Sequence, residues 1–388
     1  MIKKIWTSLT ELRKNRIALG TFFFITGLRF ASWACRIPNL QDSLHLNNAA
    51  LGSVLLLLPI GSMIGLPISG YMVTKFGSRN MLLVATFALV APMIGIGLST
   101  TGWMLAANLF FFGLTNNLMN ISVNTQAVMV EKQYGRSIMA SFHGLWSLGG
   151  FAGVGLGTLM IGLSVNPLKH FIFISIVCLA GMLIMHKHTI QQEEHKAANK
   201  KSFGKPDSYL VVLGLIAFST MACEGTMFDW SGVYFHKVIG VSQNLTTLGF
   251  VAFMFMMATG RFLGDKFITR LGATTVLRAS GITIFIGLMT AVLFPYIIPS
   301  TIGFMLVGVG VSSVVPIAYT LAGKTHKMAT GAAIASVASI GFLGFLLGPP
   351  LIGFIAQAFS LRLSFSLIAL LGLVMVIMSE RINTNFNN

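Results

Sequence analysis

Two side chains of opposite charge sit deep in long apolar runs of this chain, Arg29 and Glu224. A charge at membrane depth costs roughly several kcal/mol unless it faces a cavity or a partner, so each points to function. They lie 195 residues apart. Two roles fit them. In one, Arg29 anchors a substrate or serves as counter-ion, and Glu224 takes up and releases a proton. In the other they form a static ion pair that holds one closed state. Buried pairs are poor stabilisers in themselves, which favours the first role.

Polar and aromatic residues accompany this pair. Asp229 and Trp230 follow Glu224 by one to two turns, and Trp33 follows Arg29 by one. Asp229 suits a second proton carrier, or a cap on an outer gate with Arg36. Trp33 suits either stacking on a substrate ring or an interfacial anchor, and Trp230 reads as an anchor. Asn117, Asn120 and Asn124 are spaced three and four apart, so they share one helix face, and Asn116 borders it. Amides offer both donors and acceptors, so this stripe is expected to line a cavity rather than only pack between helices. Gln126 and Glu131 fall toward the cytoplasmic end of their run and read as gate elements, and His143, also toward the cytoplasm, suits a gate or a packing hydrogen bond ahead of a place in a proton path. Arg261 and Asp265, four apart, read as a local gate pair. Cys35, Cys178 and Cys223 lack metal-ligand spacing and read as packing residues. No metal or cofactor is expected. Phosphate-loop, metalloprotease and nucleophile-elbow motifs are missing, so the chain is not expected to be an enzyme or to use ATP.

The elements that hold these residues follow from composition. Of 388 residues, 55% are hydrophobic and only 9% charged. A soluble domain carries roughly a quarter charged residues, so most side chains here face lipid or one another. Twelve apolar stretches are each long enough to cross a bilayer. Spans 1 to 12 cover 15–37, 49–73, 80–99, 102–130, 138–164, 168–186, 208–234, 245–268, 274–296, 299–322, 331–358 and 361–380. They lack the short alternation of a barrel strand, so helix is the expected form.

The charge of +16 is explained by position rather than by nucleic acid. With the N-terminus cytoplasmic, twenty of the 26 Lys and Arg fall on the cytoplasmic side. Arg36, Lys169, Lys237 and Arg362 fall outside, while Arg29 and Arg261 lie within spans. This asymmetry places both termini in the cytoplasm, in a bacterial inner membrane. The basic first 16 residues read as an amphipathic start, not a removed signal.

Residues 65–79, GLPISGYMVTKFGSR, reappear altered at 260–274 as GRFLGDKFITRLGAT. Gly65, Thr74, Lys75 and Gly77 match Gly260, Thr269, Arg270 and Gly272 at the same offset of 195 that separates Arg29 from Glu224. A polar stretch, 187–207, divides the spans six and six. The expected organisation is an N-terminal bundle over 1–186, a linker over 187–207 and a C-terminal bundle over 208–388. Two similar bundles rocking about a central site are what alternating access requires, so the simplest reading is a secondary transporter.

Six plus six helices, a polar central loop and Gly-rich basic turns after spans 2 and 8 resemble the major facilitator superfamily. The first turn, GYMVTKFGSR, keeps Gly70, Lys75, Gly77 and Arg79 of that family's loop signature and has Thr74 at its acidic position. The second keeps Arg270 and Gly272 and puts Asp265 at the leading glycine. The resemblance implies gate roles for Lys75, Arg79 and Arg270, with Asp265 supplying part of the missing acid's role. RFASWACRIPNLQD, NTQAVMVEKQYGR, SFHGLWSLGG and EGTMFDWSGVY together resemble its YbjJ-like branch, related to fucose-permease-type transporters. No matched acids in spans 1 and 4 supply the proton sites of fucose permeases. The expectation is a monomeric, all-α, twelve-helix carrier moving a small polar solute, a sugar or related metabolite, coupled to protons. In its cycle, protonation of Glu224 weakens its attraction to Arg29, and solute then enters the Asn-lined cavity and engages Arg29. The rival readings are a proton-driven efflux antiporter and a transport-dead solute sensor.

Overall fold

A computed structural model describes residues 10–135, 138–191, 207–325 and 330–384, and every regular element among them is helical. Eleven helices are long and apolar enough to cross a membrane. The twelfth, Gly102–Tyr134, has 33 residues and ample length. Its asparagines make it less apolar than the others, the same residues that single it out as a candidate site.

Helix starts follow local chemistry. The side chains of Thr10, Asn47, Thr101, Asn166 and Asp207 each accept a backbone N–H three residues on, which satisfies one orphan donor of the first turn. Span 4 ends at Gly135, in the left-handed conformation with φ 64°. Spans 2, 3 and 10 are each interrupted, as Asn48–Leu55 with Leu57–Phe76, Ser78–Ala88 with Val90–Leu98, and Ile297–Val311 with Val314–Gly323.

Two compact units result. Unit 1 comprises Met1–Arg36 and Leu57–Ala198, and unit 2 comprises Ile37–Leu56 and Asn199–Asn388. The boundary differs from 1–186 and 208–388 in one respect: residues 37–56 belong with unit 2. There the Asn48 N–H donates to Gln357 (3.2 Å), Asn39 donates to Gln243 (2.9 Å), and Asp42 lies 2.9 Å from His236. Gly52 and Gly353 bring two backbones to close approach. Most of the 187–207 linker lies outside the described residues.

The units share one internal plan. In unit 1, span 1 packs on span 5, span 2 on span 4, and span 3 on span 6. In unit 2 the same plan pairs span 7 with span 11, span 8 with span 10, and span 9 with span 12. Glycine permits the closest of these approaches. A Cβ at Gly153 would strike the Leu28 carbonyl, one residue before Arg29, and a Cβ at Gly344 would strike that of Phe218. The repeated turns match in backbone too. Gly77 has φ 78°, ψ 144° and Gly272 has φ 80°, ψ 153°, a region open essentially to glycine alone.

Candidate functional site

In unit 1, spans 1, 4 and 6 converge on Arg29. Its side chain is buried, at 3% exposure, between the glycine-rich face of span 5 and the amide face of span 4. One guanidinium nitrogen donates to Asn116 Oδ1 at 2.8 Å, and Nε is buried without a partner. The guanidinium carbon lies 5.6 Å from the centroid of the Phe112 ring, one turn before Asn116. Cys178 of span 6 is within electrostatic reach. No described residue of unit 1 offers Arg29 a carboxylate partner.

The amide stripe divides by task. Asn116, placed at its border from the sequence, is the residue that holds Arg29. Asn117 turns toward Gly65 of span 2, and its Oδ1 is buried without a partner. Asn120 is exposed, and Asn124 donates to its carbonyl at 2.9 Å and its amide oxygen at 3.3 Å. Trp33 is buried, at 1% exposure, and its Nε1 has no hydrogen-bond partner among the described residues. Arg36 reaches no acid in its own unit. It donates to His170 Nδ1 (3.1 Å) and to the Val165 carbonyl (2.8 Å), closing the turn between spans 5 and 6.

In unit 2 the buried acid has its own cation. Arg261 of span 8 donates to Glu224 Oε1 at 3.2 Å. The sequence suggested a gate role for Arg261 beside Asp265, but its side chain reaches the membrane-depth acid of span 7. Asp265 lies on the same helix with its side chain outside the described residues. Tyr319 of span 10 is within electrostatic reach of Glu224. Asp229 makes no hydrogen bond or ion pair among the described residues, and five residues turn it about 140° from Glu224 around the helix. The expected anchor Trp230 is 0% exposed.

The other expected gate residues sit at helix ends. Lys75 donates to the Tyr71 hydroxyl (3.0 Å), and Lys75 and Arg270 occupy the last turns of their helices, where the dipole favours cations. The Arg79 carbonyl lies 2.9 Å from His186 Nε2. Glu131 accepts the backbone N–H groups of Ile138 and Met139, both at 2.8 Å, and so caps the span 5 helix. Gln126 donates to the Ser78 hydroxyl and the Ile190 carbonyl and accepts the Ile190 N–H, tying the two together. His143 is exposed, edge-on to Phe23 at 5.3 Å.

Phe112 and Tyr319 escaped the sequence reading, and Cys178 was read there only as a packing residue. Phe112 carried a usable signal, since it lies four residues before Asn116 and so on the same helix face. Cys178 and Tyr319 sit in apolar runs and carried none.

A family model for the Major Facilitator Superfamily matches residues 17–335. The chain belongs to that superfamily. It is 36% identical over 357 residues to an uncharacterized MFS-type transporter of Yersinia pestis, covering 92% of this chain and 93% of the relative. An uncharacterized transporter of Sinorhizobium fredii is 33% identical over 362 residues, covering 92% and 95%. Membrane protein MosC of Rhizobium meliloti is 29% identical over 364 residues, covering 92% and 87%. The nucleoside transporter NupG superposes with a TM-score of 0.78 at 11% identity, covering 95% of this chain and 99% of that one. A bacterial homolog of the human lysosomal transporter Spinster gives 0.73 at 13%, covering 97% and 98%. At such identities these two share the fold alone. The superfamily member is a multi-pass membrane transporter of a small molecule, not an enzyme.

Proposed function

We propose that this transporter is a proton-coupled carrier of the bacterial inner membrane, moving a small polar organic solute, a sugar or related metabolite, by alternating access. It acts as a monomer with both termini cytoplasmic, and belongs to the YbjJ-like branch. The observation that carries this reading is the pair of buried charged groups at equivalent repeat positions, each with a polar partner in its own unit. Arg29 is held by one amide in unit 1, and Glu224 by Arg261 in unit 2. Purely structural spans avoid such groups because of their cost.

The proton step is reassigned relative to the sequence expectation. Protonation of Glu224 discharges its ion pair with Arg261. It thereby loosens span 8 from span 7. Solute engages Arg29 and the Asn116 to Asn124 amides. Asp229, without a partner, is the second candidate proton carrier.

The test begins with a thermal-shift screen of purified protein against metabolites, because a bound solute raises apparent stability by mass action. A stabilising solute is then followed in proteoliposomes under an imposed pH gradient. Accumulation down the proton gradient supports symport. Solute movement against the proton flow would replace it by antiport, and binding without flux by a sensor.

A further inference from the structure

We infer that the solute of this transporter carries an anionic group, a carboxylate or its equivalent, and that Arg29 receives it. The inference rests on the proposed role of Arg29 as a solute-facing residue and narrows the solute from polar to acidic. Arg29 is nearly fully buried, yet among the described residues it makes one hydrogen bond, to a neutral amide oxygen. A guanidinium has five N–H donors, and here Nε is enclosed without a partner. Across residues 12–130 the only acid is Asp42, and Asp42 lies in the segment that folds with unit 2, near His236. Of the other described acids of unit 1, Glu11 pairs with Lys14 and Glu131 caps span 5, so among the described residues unit 1 brings no carboxylate to its buried cation, whereas unit 2 meets Glu224 with Arg261.

A desolvated cation held by one amide is poorly compensated, and its planar fork matches a carboxylate through two parallel N–H···O bonds. Asn116 Oδ1 then occupies a position that a solute oxygen takes over. The Phe112 face beside the guanidinium flanks the site with apolar surface. A neutral sugar would leave the charge uncompensated.

The test reads anion preference without knowing the solute. In a background with Cys35, Cys178 and Cys223 replaced by alanine, Asn120→Cys places a thiol on exposed span 4, one turn past Asn116. Its rates of modification by an anionic sulfonatoethyl and a cationic trimethylammonioethyl methanethiosulfonate, each divided by that reagent's rate with a small free thiol, are compared in proteoliposomes. The anionic reagent should react about tenfold faster, the scale of electrostatic focusing in a charged cleft. Arg29→Gln should level the rates. Asn116→Asp, which supplies a fixed carboxylate and guards against misfolding of the Arg29 variant, should level them too. Equal rates in the parent, a cation preference, or no reaction with either reagent would overturn the inference, the last because an anion would then lack an aqueous route. Failure here leaves carrier activity toward a neutral solute open. A clear anion preference without solute flux would instead retain the site and remove the transport mechanism proposed for it.

Discussion

Arg29 and Glu224 differ in how their charges are met, and that difference sets what single substitutions should do. Arg29 depends on Asn116 for its one hydrogen bond. Asn116→Ala should therefore lower stability by about 1–3 kcal/mol, the cost of leaving a buried charged donor unsatisfied. Asn120→Ala, at an exposed position, should fall within about 0.5 kcal/mol of the parent. Thermal unfolding in detergent measures both, and equal shifts would remove Asn116 from its supporting role. The depth and sign of Arg29 and Glu224 were legible from residue type alone, because charges in apolar runs are rare and costly. Their partners were not. Arg261 lies 37 residues from Glu224 and on another helix, and helical periodicity carries no information about which cation a buried acid meets across a helix interface.

Elements were legible wherever local chemistry decides them. Span 7, read as 208–234, coincides with helix Ser208–Tyr234, because Asp207 caps its start. Breaks within spans 2, 3 and 10 were not read, although Pro59, Pro92 and Pro316 each lie three residues past the interruption, where a missing N–H removes a bond of the helix ladder. Nor was the attachment of residues 37–56 to unit 2, which depends on contacts with span 7, Gln243 and Gln357, distant in sequence. The repeated turns give a sharp test at this scale. Gly77→Ala and Gly272→Ala should each cost about 1–3 kcal/mol, because both glycines occupy conformations that an L side chain strains to adopt. Gly70→Ala, at the leading glycine of the same signature, sits mid-helix with open space around a new Cβ. It should be neutral or stabilising, by up to about 1 kcal/mol of helix propensity. Comparable losses at all three positions, read by thermal unfolding, would contradict the backbone argument.

At the scale of the whole molecule, the two-fold plan appeared in the sequence as a 15-residue echo at offset 195 and appears in the structure as matched helix pairings within each unit. The proposed membrane orientation rests on the lysine and arginine asymmetry. Cysteines placed at Lys237 and Arg278, both exposed, should label from opposite faces of intact cells, Lys237 from outside. Labelling of both from outside would reverse the proposed topology. The central claim is that Glu224 carries the proton that drives solute movement. It is tested most directly by comparing parent and Glu224→Gln in proteoliposomes loaded with a pH-sensitive dye, using a solute that raises the protein's melting temperature. The parent should acidify the lumen on solute addition and accumulate solute against its gradient under an imposed proton gradient. Glu224→Gln should lose both responses and still exchange labelled for unlabelled solute, since an amide of the same shape cannot titrate. Full proton-driven accumulation by Glu224→Gln would contradict the account and pass the role to Asp229.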